Sequence, residues 1–232
     1  MSAHYVVSDA HFGAAPPEDE ERFLAFCESL RGRADSLFVL GDLLDFWFEY
    51  GRAIPKHGFR ALAELVHLRR GGTRVVYLAG NHDLRFRDFL GRELGIEAAS
   101  QVSERLDGSR VWMSHGDEVD HRAVPALFRR LMRSRINNLL YSFVHPDVGI
   151  GFASWVASRS RARGQDDFLR GVMARHASRK LAEGYDIVVT GHLHVPELVR
   201  LDGGWYLRTA WCRGCTYGVI RDGVPALERF RA

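Results

Sequence analysis

Val75-Val76-Tyr77-Leu78-Ala79 runs directly into Gly80-Asn81-His82-Asp83. The first part is β-branched and apolar, the composition of a buried strand. The second part puts an amide, an imidazole and a carboxylate in a row, which packing alone does not require. The same sequence of events recurs along the chain. His4-Tyr5-Val6-Val7 ends at Ser8-Asp9-Ala10-His11, and Ser36-Leu37-Phe38-Val39-Leu40 ends at Gly41-Asp42, with Asp45 a turn later. Arg110 to Met113 ends at Ser114-His115-Gly116-Asp117, and Asp186 to Val189 ends at Thr190-Gly191-His192-Leu193-His194. A fold that uses such a chain must bring strand C-termini to one place, as α/β sheets do when they form a crevice at that edge. Helical spacing over Glu18–Leu30, Phe59–Arg69 and Ala174–Glu183 alternates with these strands, so the expected class is α/β, with sheet layers covered by helices. Trp205–Leu207 and Tyr217–Ile220 read as closing strands.

At 232 residues the chain suffices for one large domain or a domain with an insertion. No apolar run approaches the roughly 20 residues that span a bilayer. The first residues, Met1-Ser2-Ala3-His4-Tyr5, lack the charged start and cleavage pattern of a signal peptide. The expected location is therefore cytoplasmic. Cys27, Cys212 and Cys215 form no disulfide framework. Cys212 and Cys215 make a lone C-x-x-C before a strand-like run, the wrong place for a thioredoxin-type motif and two ligands short of a structural zinc.

The stretch from Val124 to Val156 breaks the strand–helix alternation. Its helical runs are split by Pro146, Gly149 and Gly151, and it reads as a helical insertion over one face. Net charge is only +3, yet Arg122, Arg129, Arg130, Arg133, Arg135, Arg159, Arg161 and Arg163 face a single acid, Asp147, across this region. Such asymmetry fits an anionic partner, and an ordinary solvated helix pair is the plainer reading.

Asp9, His11, Asp42, Asn81, His115, His192 and His194 are seven oxygen or imidazole donors at strand ends. They are too many for one four-coordinate zinc, and their mixture suits divalent manganese, iron or zinc. Two cations sharing a carboxylate would use them all, with Asp42 as the natural bridge. Asp-x-His or Gly-His-x-His alone is common in turns. Five such signatures, each closing a strand, are hard to read as packing. The remaining histidines (His4, His57, His67, His121, His145, His176) are taken as structural or exposed, with His121 nearest the site in sequence.

Asp9-x-His11, Gly41-Asp42-x-x-Asp45, Gly80-Asn81-His82-Asp83, His115-Gly116 and Gly191-His192-x-His194 together resemble the calcineurin-like metallophosphoesterase superfamily over essentially the whole chain. The resemblance implies a four-layer β-sandwich of two sheets flanked by helices, with a helical lid insertion. The core would comprise residues 1–121 and 164–232, and the lid 122–163. It implies that Asp9, His11, Asp42 and His194 hold one metal and that Asp42, Asn81, His115 and His192 hold the other. His82 would be the phosphate-facing catalytic histidine and Asp83 its orienting partner. The ions, manganese first with iron or zinc as alternatives, would generate a bridging hydroxide near neutral pH that attacks phosphorus.

A finer resemblance is to the UDP-2,3-diacylglucosamine diphosphatase group of lipid A synthesis. It is carried by Gly41-Asp42-Leu43-Leu44-Asp45-Phe46-Trp47, Ser114-His115-Gly116-Asp117-Glu118, the basic insertion ending at Ser158-Arg159-Ser160, and Gly191-His192-Leu193-His194-Val195-Pro196. It implies cleavage of a nucleotide-linked pyrophosphate to UMP and 2,3-diacylglucosamine 1-phosphate, with acyl chains sheltered by the lid. Leu127, Phe128, Leu131, Leu139, Leu140, Tyr141, Phe143 and Trp155 would line that shelter. Asn81, Ser158, Arg159, Ser160 and Arg163 would contact the substrate. The partners implied are a lipid-linked nucleotide and a transient inner-membrane surface, making the protein cytoplasmic and peripheral. One rival is a phosphodiesterase or phosphatase on another nucleotide, lipid or nucleic acid. Nucleic acid is disfavoured because the arginines are interleaved with large apolar side chains. A rival of another class is a non-catalytic scaffold, against which stands the presence of every ligand position and of His82.

Overall fold

The computed structural model describes residues 2–85, 88–119, 131, 134–152 and 167–231. Strand order follows the alternation expected from sequence. β1 (His4–Val7), α1 (Pro17–Leu30), β2 (Ser36–Val39), the short β3 (Trp47–Phe48), α2 (Phe59–Arg70), β4 (Arg74–Leu78) and β5 (Asp83–Arg85) form the first half. β6 (Glu97–Ala99), β7 (Gln101–Leu106), β8 (Ser109–Ser114), α3 (Arg135–Tyr141), α4 (Asp167–Ala182) and β9 (Ile187–Thr190) follow. β10 (Glu197–Leu201), β11 (Gly204–Arg208), β12 (Thr216–Arg221) and β13 (Val224–Arg229) close the chain.

Two sheets carry the fold. One has the order β13-β12-β1-β2-β4-β6 and the other β10-β11-β9-β8-β7, while β3 and β5 form a separate pair. β1, β2, β4 and β6 run parallel, as do β8, β9 and β11. Period-two alternation explains the layering. Val6, Phe38, Val76 and Leu78 of the first sheet meet Val111, Met113, Ile187, Val189 and Leu207 of the second in one buried core. The intervening residues Tyr5, Val7, Leu37, Val39, Val75 and Tyr77 face the other way, against Phe23, Phe26, Leu62 and Leu65 of α1 and α2. Trp112, Val188 and Tyr206 do the same on the far side, against Leu169, Met173, Ala177 and Leu181 of α4. The result is helix, sheet, sheet, helix: the four-layer sandwich that the sequence resemblance implies.

Several elements differ from the sequence reading. Among the described residues α4 covers Asp167–Ala182, reaching well before the expected start at Ala174, because Leu169 and Met173 extend the same buried stripe as Ala177 and Leu181. β6, β7, β10 and β13 were not anticipated. β7 alternates exposed and half-buried residues up to the buried Leu106, β10 is half-buried throughout except for exposed Arg200, and all four of these strands lie at sheet edges. Their polar content hides them from an apolar-run criterion. Of the expected insertion at 122–163, residues 131 and 134–152 are described, with helix at 135–141 and 146–152. No described helix is long and apolar enough to cross a membrane.

Phe38 sits wholly buried between the two sheets. Phe38→Ala should cost about 3–5 kcal/mol of unfolding free energy, the usual scale for deleting a core phenylalanine. Urea denaturation followed by circular dichroism measures it.

Candidate metal centre

The parallel strands of both sheets point their C-termini to one edge, and the loops leaving them are sewn together by backbone. Asp9 N donates to Gly41 O (3.1 Å), His11 N to Asp42 O (3.0 Å), and Gly191 N to His115 O (2.9 Å). Trp211 N donates to Ser8 O (2.8 Å) and Cys212 N to Asp9 O (3.1 Å), tying in the β11–β12 connection. The approach of the β2 and β4 loops is close enough that a Cβ on Gly41 would strike the Gly80 backbone. Gly41 also has φ +80°, a left-handed conformation that suits glycine.

Asp9, His11, Asp42, His192 and His194 all take positive φ, between 50° and 71°. Among the described residues only three other non-glycines do so: Asp107, Cys215 and Asp222. Each such residue costs on the order of 1–3 kcal/mol and persists where surrounding structure over-determines it, commonly at functional sites. The left-handed turns aim the side chains of these loops inward. His194 Nε2 lies 3.3 Å from Asp9 Oδ1 and 3.0 Å from His11 Nε2. His115 Nε2 lies 3.4 Å from Asp42 Oδ2 and 3.1 Å from Asn81 Oδ1. The His115 and His192 rings are 5.1 Å apart. Asp9, Asp42 and His115 are essentially inaccessible to solvent. All seven expected donors therefore meet at one edge, and the Asp9 carboxylate accepts the His192 backbone N–H at 2.9 Å.

Three groups of donor atoms, each within 4.8 Å of one another, can hold a cation: Asp9, His11 and His194; His11, Asp42 and His82; Asp9, Asp42 and His115. Asp9, His11 and Asp42 each occur in two of them. The donor set fits divalent cations. It is a cluster of lone pairs facing lone pairs, and the buried His11 Nδ1 finds no hydrogen-bond partner. Carboxylate, amide and imidazole together suit manganese, iron or zinc.

Burial and neighbouring charge move these groups in different directions. Burial pushes the Asp9 carboxyl up, but the His194 hydrogen bond and charge outweigh it and hold it at about 2. Burial likewise raises Asp42, and the His115 and His82 charges more than reverse it, holding it well below the usual carboxylate range. Burial, reinforced by His82, lowers His11 to about 3, and burial with the His115 charge lowers His192 to about 4. Both imidazoles are thus neutral at pH 7, the form that binds metal. His115 resists the lowering effect of burial because the Asp42 charge and hydrogen bond draw it well above its ordinary value.

His82 lies beside this cluster. Its Nδ1 pairs with the Asp45 backbone carbonyl at 2.6 Å, its Nε2 is 3.8 Å from Asp42 Oδ2, and its ring is 4.7 Å from that of His11. The expectation that Asp83 orients His82 needs correcting. The Asp83 carboxylate accepts Gly80 N (2.8 Å), Asp42 N (3.0 Å) and the Tyr77 hydroxyl (3.2 Å). It holds the turn that carries Asp42, while the Asp45 carbonyl fixes the His82 ring. Burial and the neighbouring Asp42 charge push Asp83 up to about 6. The Asp45 and Leu40 carbonyls, the latter 2.7 Å from His115 Nδ1, carry no side-chain signature that sequence could have disclosed. Tyr77 had one: a polar aromatic within an otherwise aliphatic strand.

Cys27, Cys212 and Cys215 are free thiols. Burial pushes the Cys212 thiol up to about 12 and raises Cys215 too, which suits neither redox nor metal chemistry. His4 pairs with Ser36 and His67 with Glu64, away from the site. Ser158, Arg159, Ser160, Arg163 and His121 lie outside the described residues, as do Leu127, Phe128 and Trp155.

The pattern that defines the calcineurin-like phosphoesterase family matches residues 5–196, from the first strand through the Gly191-His192-x-His194 loop and its following proline. The chain belongs to that family and is an enzyme that hydrolyses phosphoester bonds with the help of divalent metal. A UDP-2,3-diacylglucosamine hydrolase of Porphyromonas gingivalis is 34% identical over 169 residues, covering 69% of this chain and 64% of that protein, just under two thirds of its length. A protein of the same name from Ralstonia nicotianae is 28% identical over 252 aligned positions, covering 97% of this chain and 91% of its own. The solved structure of an archaeal phosphodiesterase superposes with a TM-score of 0.53 at 13% identity, covering 97% of this chain and 98% of that one, and speaks to the fold alone.

Asp42→Ala and Asn81→Ala should each weaken Mn²⁺ binding by at least roughly 10–100-fold, the loss already typical of groups one shell further out. His82→Ala should keep the wild-type stoichiometry. Isothermal titration calorimetry of the metal-stripped proteins measures both.

Proposed function

We propose that the chain cleaves the pyrophosphate of UDP-2,3-diacylglucosamine to UMP and 2,3-diacylglucosamine 1-phosphate, using two divalent cations, manganese foremost. The observation that carries this reading is a seven-donor centre flanked by a segment with bare apolar side chains. Ile136, Leu139, Leu140, Phe143 and Phe152 are each more than half exposed. Relatives named for this substrate support the choice.

Asp9, His11, Asp42 and His194 would hold one ion, and Asp42, Asn81, His115 and His192 the other. Ions so held would lower the pKa of bound water and neutralise charge developing on the phosphoryl oxygens. Asp42 is suited to the shared position because its two oxygens serve different neighbours: Oδ1 accepts His82 N (2.8 Å) and Oδ2 faces His115. His82, its Nδ1 proton directed to the Asp45 carbonyl, presents Nε2 to the site. As imidazolium it would donate to a phosphoryl oxygen or protonate the leaving oxygen. Asp83 and Tyr77 keep the Asp42 turn in register.

The exposed apolar side chains of 136–152 would shelter acyl chains and touch the inner-membrane surface, making the protein cytoplasmic and peripheral. In this reading Ser158, Arg159, Ser160 and Arg163 contact diphosphate, sugar or uridine.

The test is release of UMP from UDP-2,3-diacylglucosamine, and of nitrophenol from bis-p-nitrophenyl phosphate, with and without Mn²⁺. Both should depend on the metal, and His82→Ala should lose roughly 10²-fold in rate on the lipid nucleotide. Metal-dependent turnover of the diester without UMP release would transfer the function to another phosphoester.

A further inference from the structure

The strand pair β3–β5 lies outside both large sheets and joins two regions that sequence treats as separate. At one end it carries the catalytic candidate: Trp47 N donates to His82 O (3.0 Å), and β5 begins at the next residue. At the other end it meets the insertion. Arg85, the last residue of β5, donates from Nη1 to the Asn138 carbonyl of α3 at 3.1 Å, and its guanidinium lies 5.3 Å from the Phe48 ring centre. Tyr141, the last residue of α3, packs on the opposite strand, 4.8 Å from Phe48, and stacks on Tyr50 at 6.1 Å. Its hydroxyl reaches on to the Gly149 carbonyl, gathering the next helical turn into the same contact.

The chemistry at this joint is directional. The Asn138 carbonyl already accepts the Ser142 N–H at 3.2 Å, and the guanidinium adds a charged second donor near the helix C-terminus, where the helix dipole favours a cation. The aromatic faces beneath it hold the cation and the tyrosine in one place. The apolar side chains of α3 that do not enter this contact, Ile136, Leu139 and Leu140, are the exposed ones. The joint therefore sets which face of the insertion is packed and which is free.

We propose that Arg85 is a positioning residue: it clamps the insertion to the strand pair that carries His82, so that a substrate's apolar portion and its phosphates are presented in fixed relation. The substrate side of this proposal rests on the lipid-nucleotide reading above. The anchoring side does not.

Two measurements on the full-length, Mn²⁺-loaded protein test it. In Arg85→Ala, amide hydrogen exchange over 135–152 should quicken about tenfold, the scale of one lost charge-assisted hydrogen bond, while β1, β4 and β9 stay unchanged. KM for UDP-2,3-diacylglucosamine should rise about tenfold, whereas kcat/KM for bis-p-nitrophenyl phosphate, too small to need the insertion, should move less than about twofold. Tyr141→Ala, which cuts the same joint from the insertion's side, should quicken the same exchange over 135–152. Unchanged exchange over 135–152 in both variants overturns the proposal, as does an equal loss on the two substrates. A wild-type protein that turns over the diester but not the lipid nucleotide sinks the substrate reading alone, and the exchange result then decides the anchor.

Discussion

Two carboxylates, Asp9 and Asp42, lie almost wholly out of water, and the rest of the site is organised around that fact. A buried carboxylate is costly unless it is paired and hydrogen-bonded. Here each accepts a backbone N–H from a distant loop, His192 for Asp9 and His82 for Asp42, and each faces an imidazole. Those bonds can form only if the loops turn through left-handed backbone, and only if glycine stands where the β2 and β4 loops nearly touch. Strain, tight approach and burial are therefore one arrangement seen from three sides. Its product is a cluster of acceptors that positive charge completes.

Much of this was legible in sequence because it was written as interruptions. An apolar strand that stops at Gly-Asn-His-Asp, or at Gly-His-Leu-His, declares that something other than packing governs its end. The alternation of Tyr5, Val6 and Val7, or of Val111, Trp112 and Met113, also contains the two-faced burial that makes a sandwich, although periodicity alone did not separate one sheet from two. Edge strands such as β7 and β10 were silent, since half-exposed strands need no apolar run. The role of Asp83 was misread for a different reason. The family resemblance suggested that it serves His82, but the Asp83 carboxylate is taken up by the Gly80 and Asp42 backbone N–H groups. The ring is instead fixed by a main-chain carbonyl, which has no identity in a sequence.

The described segment 134–152 joins this framework through aromatic contact more than through charge. Phe46, Phe48 and Tyr50 form a small buried cluster of their own, which Tyr141 and Ile150 enter. The apolar residues left outside that cluster are what distinguish this face from an ordinary solvated helix. Their exposure has a meaning if the molecule meets something greasy, and none if its substrates are purely water-loving.

The centre also straddles the seam of the sandwich. Asp9, His11 and Asp42 follow strands of one sheet, whereas His115 and His194 follow strands of the other, and two of the three donor groups draw on both. An ion seated there would rivet the two halves across the interface that Phe38, Met113 and Val189 fill from within. Occupancy and global stability would then be linked, stability rising with the logarithm of free cation once its concentration exceeds the dissociation constant. In such a molecule the supply of metal would set what fraction of the chain is folded as well as how fast it turns over.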